Sequence, residues 1–119
     1  MKRYTIRGAT TVKENTVEDI RKNTIELLKE SMEQNSINIK DVESIIFTCT
    51  EDVDAVYPAK FAREIGFTEV SLLCMQEMKV QGSLKKCIRI LIFLRNNVKL
   101  KDVCNIYLNE AKTLRKDIN

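Results

Sequence analysis

No histidine occurs anywhere in the 119-residue chain. That absence removes Ser-His and Cys-His nucleophile pairs, and imidazole acid–base chemistry with them. Catalysis by this chain must rest on Arg, Lys, Glu, Asp, Tyr or Cys. The four cysteines, Cys49, Cys74, Cys87 and Cys104, form no C-x-x-C pair. A zinc site needs four ligands at close spacing, so no metal site is expected, and the simpler account is free thiols in a reducing compartment. No apolar run approaches the ~20 residues that a membrane helix requires; the longest clear one is Ile90–Leu94. Met1-Lys2-Arg3-Tyr4 leads into mixed polar sequence with no signal-peptide core, so a cytoplasmic location without a membrane partner is expected. Repeats, linkers and low-complexity segments are also missing.

What is present fits one soluble globular domain spanning residues 1–119: 44% apolar and 31% charged residues in a chain long enough for its own core. The net charge of +3 is too small to argue for nucleic acid by itself. Its distribution is uneven. Residues 1–78 carry 10 basic and 14 acidic side chains, a net of −4; residues 79–119 carry 10 basic and 3 acidic, a net of +7. The basic third could face an anionic ligand, an acidic neighbouring subunit, or only water.

Tyr4-Thr5-Ile6 reads as a first strand, with Tyr4 and Ile6 on one face and Thr5 and Arg7 on the other. Gly8 then allows a bend or a close approach. Thr16 has the character of an N-cap, with Glu18 and Asp19 in the first turn. Ile20, Thr24, Leu27, Leu28, Ser31 and Met32 recur at helical spacing, which predicts a helix over about 17–34. Ser44–Thr50 is a short apolar, β-branched strand. Pro58 and Gly66 bracket a second helix. Val70–Leu73 reads as a third strand and Cys87–Leu94 as a fourth, with Ile88, Ile90, Ile92 and Leu94 opposite Cys87, Arg89, Leu91 and Phe93. A helical turn is expected over Leu100–Cys104, a last strand over Asn105–Leu108, and a frayed tail from Lys112. The order β-α-β-α-β-β-β predicts an α+β domain, its helices packed on one face of the sheet.

Arg89 stands inside the most apolar strand, where a charge must be paired or solvated. It is either a functional cation or an edge arginine in a structural ion pair. Arg7, at a strand end before Gly8, can grip a carboxylate with two nitrogens. Arg63 lies on the second helix, where a solvated face is the plain alternative. Glu77 lies in Cys74-Met75-Gln76-Glu77-Met78, which has neither helical nor strand periodicity and reads as a loop that closes over something. Tyr107 can pack its ring while its hydroxyl reaches a polar group. Three arginines, a carboxylate and a phenol are poor at proton transfer at neutral pH. They are well suited to electrostatic clamping of a dianion.

Five blocks occur in order along the chain: Ile6-Arg7-Gly8-Ala9-Thr10-Thr11-Val12, Tyr57-Pro58-Ala59-Lys60, Cys74-Met75-Gln76-Glu77-Met78, Leu84-Lys85-Lys86-Cys87-Ile88-Arg89, and Val103–Leu108. With them the chain resembles the AroH-type chorismate mutases, over about residues 3–115. The resemblance implies a mixed β-sheet assembled into a pseudo-α/β-barrel homotrimer with active sites between subunits. It implies conversion of chorismate to prephenate by a Claisen rearrangement. That concerted bond shift needs no nucleophile, proton transfer, metal or cofactor. Arg89 would face the ether oxygen of the breaking bond. Glu77 would meet the ring hydroxyl and either Arg89 or the developing positive ring. Arg7, helped by Tyr107, would hold a carboxylate. Leu73, Cys74, Met75 and Gln76 would line the pocket, and Tyr57 and Arg63 would come from the neighbouring subunit. The chain departs from the family where Leu73 replaces a common Thr, Tyr57 a common Phe, and Lys79 a common acid. The segment near Gly66-Phe67 is one residue short, and the tail is brief. These departures keep a non-catalytic metabolite-binding trimer in view. Nucleic-acid binding has no motif to support it.

Overall fold

The computed structural model describes residues 3–115. Strand β1 spans Thr5–Thr11, helix α1 Val17–Gln34, β2 Val42–Cys49, α2 Ala59–Glu64, β3 Ser71–Gln76, β4 Cys87–Leu94 and β5 Ile106–Tyr107. Two 3-10 helices, Ile39–Asp41 and Asn109–Arg115, complete the regular structure of the described residues. The five strands form one mixed sheet in the order β3-β2-β4-β1-β5. β4 runs antiparallel to both β1 and β2, whereas β3 is parallel to β2 and β5 is parallel to β1.

Helix α1 has the expected bounds because its local signals agree. Thr16 caps it by accepting the Asp19 N–H at 3.1 Å. Ile20, Thr24, Leu27, Leu28 and Ser31 are buried as the periodicity predicts, and Asn23 is buried with them. Full burial of each aliphatic side chain contributes roughly 1.5–3 kcal/mol. The alternation in β4 is equally plain. Ile88, Ile90, Ile92 and Leu94 are buried, while Arg89, Leu91 and Phe93 on the opposite face are only half buried. Ile90, Ile92 and Leu94 join Ile6, Ile45 and Phe47 in the core beneath Leu27 and Leu28. A second cluster joins Ile88 to Ile20, Val12, Val53 and Phe61. Both α-helices therefore lie on one face of the sheet, as expected.

Four local expectations need correction. β1 does not end at Arg7 but runs through Gly8 to Thr11. β3 extends through Cys74, Met75 and Gln76, which had no strand-like signal of their own; pairing with Phe47, Thr48 and Cys49 of β2 supplies the order. Leu100–Cys104 contains no helical turn. Its end is held instead by Asn35, whose side chain bonds the Cys104 N–H and C=O, both at 2.8 Å. The segment from Lys112 is helical to Arg115, packed through Ala111 against Ala9 and Cys87; residues 116–119 lie outside the described part. This 3-10 helix touches the sheet face that the α-helices leave open. Among the described residues, no helix is long and apolar enough to cross a membrane.

Gly8 fulfils the close-approach expectation. A Cβ there would stand 3.1 Å from the Ile106 carbonyl oxygen, 3.1 Å from Leu27 Cδ1 and 3.2 Å from Ile90 Cγ1. Gly8→Ala is expected to cost about 1–3 kcal/mol through overpacking of α1 and β5 against β1. Urea unfolding at fixed protein concentration tests this, and an unchanged midpoint would contradict it.

Candidate active site

β4 carries Arg89 onto the sheet face away from the α-helices. In the register of the sheet, Arg89 lies between Thr48 of β2 and Ala9 of β1. Glu77 follows directly on β3, and its N–H donates to the Cys49 carbonyl at 2.7 Å. The Glu77 carboxylate accepts a hydrogen bond from Thr48 Oγ1 at 2.7 Å, and the same oxygen is 3.3 Å from Arg89 Nε. At that distance the two charges pair, but the Nε–H is not aimed well enough to make a hydrogen bond. Nε is buried without such a partner, although the Arg89 side chain as a whole is 40% exposed and that of Glu77 27%. The open surface of Arg89 therefore belongs to its other atoms.

Arg7 and Tyr107 reach the same region from β1 and β5. Arg7 lies across from Leu91 and so diagonal to Arg89, within roughly 7–8 Å. It is exposed, and its backbone N–H is fixed by Asn105 Oδ1 at 2.8 Å. Tyr107 pairs with Ala9, the residue whose other partner is Arg89, and packs beside Cys87 and Ala111. Burial pushes the Cys87 thiol up to about 11, against the pull of the Arg89 charge beside it. Burial likewise pushes Cys49 up to about 12. Both thiols stay protonated at neutral pH and are poor nucleophiles.

The other expected residues form a separate group. Tyr57, Cys74, Met75 and Gln76 line a cleft of about 560 Å³ with Cys49, Val53 and Pro58. Tyr57 stands 72% exposed. Cys74 points to the helix side of the sheet, where burial raises its thiol pKa while the Ala59 N–H and the Arg63 charge lower it. Leu73, at 55% exposure, and Met75, at 46%, project from the opposite face, across from Ile46 and Thr48. Neither this cleft nor the one of about 380 Å³ beside Glu77 has Arg7, Arg63 or Arg89 in its wall. One chain thus pairs Glu77 with Arg89, sets Arg7 and Tyr107 on neighbouring strands of the same sheet, and leaves Arg63 beside Cys74 on the helix side.

Two contributors escaped the sequence reading. Thr48 holds Glu77; only its alternation with Phe47 hinted that it faces away from the core. Asp52 accepts the Lys86 N–H with both oxygens at 3.0 Å, which ties the turn after β2 to the start of β4. Burial raises the Asp52 pKa, but the bonds from Thr50 and Lys86 outweigh it and hold the carboxyl below its usual value. Among the described residues, no group of three His, Cys, Asp or Glu side chains is placed to hold a metal ion.

Comparison with known proteins gives a consistent result. The family model for chorismate mutase type I matches residues 4–118. Chorismate mutase AroH of Bacillus subtilis (strain 168) is 41% identical over 115 residues, covering 96% of this chain and 91% of the relative. Chorismate mutase AroH of Thermus thermophilus is 42% identical over 114 residues, covering 95% and 93%. The solved structure of a chorismate mutase from Clostridium thermocellum superposes with a TM-score of 0.88 at 47% identity, over 92% of this chain and 98% of that one.

Proposed function

The chain belongs to the type I chorismate mutase family, and on that premise we propose how its residues carry out the reaction and where its complete site lies. The enzyme is an isomerase that converts chorismate to prephenate in aromatic amino-acid biosynthesis. In this rearrangement the ether C–O bond breaks as a C–C bond forms within the same molecule. Negative charge grows on the ether oxygen and positive charge on the ring. No external group is consumed, so the protein's part is to select the chair-like conformer and to stabilise that separation of charge.

Arg89 donates to the ether oxygen, where charge appears only as the bond breaks. Glu77 meets the ring hydroxyl and lies near the positive ring. Arg7, with Tyr107, grips a carboxylate. The observation that carries this reading is the Arg89–Glu77 pair on the open face of the sheet, with Arg89 Nε short of a hydrogen bond. A guanidinium that Glu77 holds through one oxygen while its other nitrogens stay open to solvent is suited to charge that arrives later.

The same reading has the enzyme work as a homotrimer in the cytoplasm, with each site shared between two subunits. The open face of the sheet supports a partner there, since Leu73 and Met75 leave large apolar surface in water. The position of Arg63 on the helix side, and of Tyr57 in a cleft that Arg89 does not line, support their delivery to a neighbour's site, where Leu73 to Gln76 form part of the wall. The test is direct. Purified, folded protein should consume chorismate and form an equal amount of prephenate without added metal or cofactor. A rate equal to the uncatalysed one would overturn the proposal.

A further inference from the structure

We propose that Thr48 is a positioning residue for the rearrangement: its hydroxyl fixes the Glu77 carboxylate in a one-oxygen contact with Arg89 and so keeps the open nitrogens of the guanidinium clear of Glu77 until the transition state. This rests on the reading that Glu77 and Arg89 face the substrate.

Thr48 is in direct register with Arg89 across β2 and β4, on the same face. Its β-branched side chain has few rotamers in a strand, so the hydroxyl has a restricted direction. That hydroxyl donates to Glu77 Oε1 at 2.7 Å, and Arg89 Nε lies 3.3 Å from the same oxygen. Glu77 itself sits just past the last residue of β3. Its backbone has one tie to β2, the N–H to the Cys49 carbonyl at 2.7 Å, and beyond it the chain runs without regular structure to β4. The direction of the carboxylate therefore depends on Thr48. A carboxylate released from it can turn both oxygens onto the guanidinium, the geometry that carboxylates and arginines prefer. Such a fork would satisfy Arg89 in the ground state. The developing ether oxygen would then have to compete with it, and the differential stabilisation that raises kcat would shrink.

Thr48→Val keeps the shape and the β-branching but loses the donor; Thr48→Ser keeps the donor. Steady-state kinetics on the folded full-length enzyme should give a kcat about 10-fold lower for Thr48→Val, with KM changed much less. Thr48→Ser should recover most of that loss. If Thr48→Val proves unstable, Thr48→Ala serves as the second hydroxyl-free variant. The proposal is wrong if the hydroxyl-free variants keep wild-type kcat, if only KM rises, or if Thr48→Ser is as impaired as they are. Glu77→Gln separates the two layers. A normal kcat for Glu77→Gln would sink the site reading itself. A low kcat for Glu77→Gln beside a normal one for Thr48→Val would sink only the role of Thr48.

Discussion

Arg89→Ala is expected to lower kcat by roughly 10²–10³-fold, with KM changed far less, because the lost donor acts on charge present only in the transition state. Arg89 stands mid-strand between β1 and β2, so the fold does not hang on its charge: its flanks, Ile88 and Ile90, do the packing. Its salt-bridge partner among the described residues, Glu77, is itself partly open to solvent, so removal of Arg89 leaves no deeply buried carboxylate stranded. Circular dichroism and native mass spectrometry should therefore match the wild type. Arg89→Lys should recover little, since an ammonium cannot reproduce the planar fork of donors. A variant that loses affinity but keeps kcat would show that Arg89 binds substrate and transition state alike.

The second large effect is a gain. In the proposed homotrimer, the Arg89→Ala and Arg63→Ala proteins should each be strongly impaired when read at substrate well below KM. At that concentration the loss of a substrate contact from Arg63 counts fully. Unfolded together and refolded at equal concentration, they should regain about a quarter of the wild-type activity. In a cyclic trimer a site is whole when the subunit giving Arg89 and the neighbour giving Arg63 both carry their arginine. Random assembly meets that condition in about one site in four. Activity equal to the mean of the two parents would mean that each site is built within one chain. The expectation follows from the geometry of a single chain, in which Arg63 lies beside Cys74 on the helix side and Arg89 on the other face.

The elements read correctly from sequence are those with strong local periodicity. α1 and β4 have the bounds their patterns predict, because a cap, a helical stripe and a strict alternation are written in neighbouring residues. The misreadings have the opposite character. Cys74–Gln76 shows no alternation because it lies on an edge strand with both faces partly open, so its order comes from β2. The expected turn at Leu100–Cys104 is replaced by two bonds from Asn35, 69 residues away. The tail is ordered to Arg115 by contact with Ala9 and Cys87, which no local signal announces.

The site divides in the same way. The absence of histidine and an arginine within the most apolar strand, both plain in the sequence, exclude imidazole chemistry and single out one cation that must be paired, solvated or used. Composition and order along the chain determine that much, since the types of side chain available do not depend on folding. Only the tertiary structure decided which of them meet. Thr48, Glu77 and Arg89 come from three different segments and converge through the pairing of β2 with both β3 and β4. Arg7 and Tyr107 join them through β1 and β5. Register between strands is fixed by the packing of the whole sheet on α1, a long-range property that no single stretch of the sequence contains.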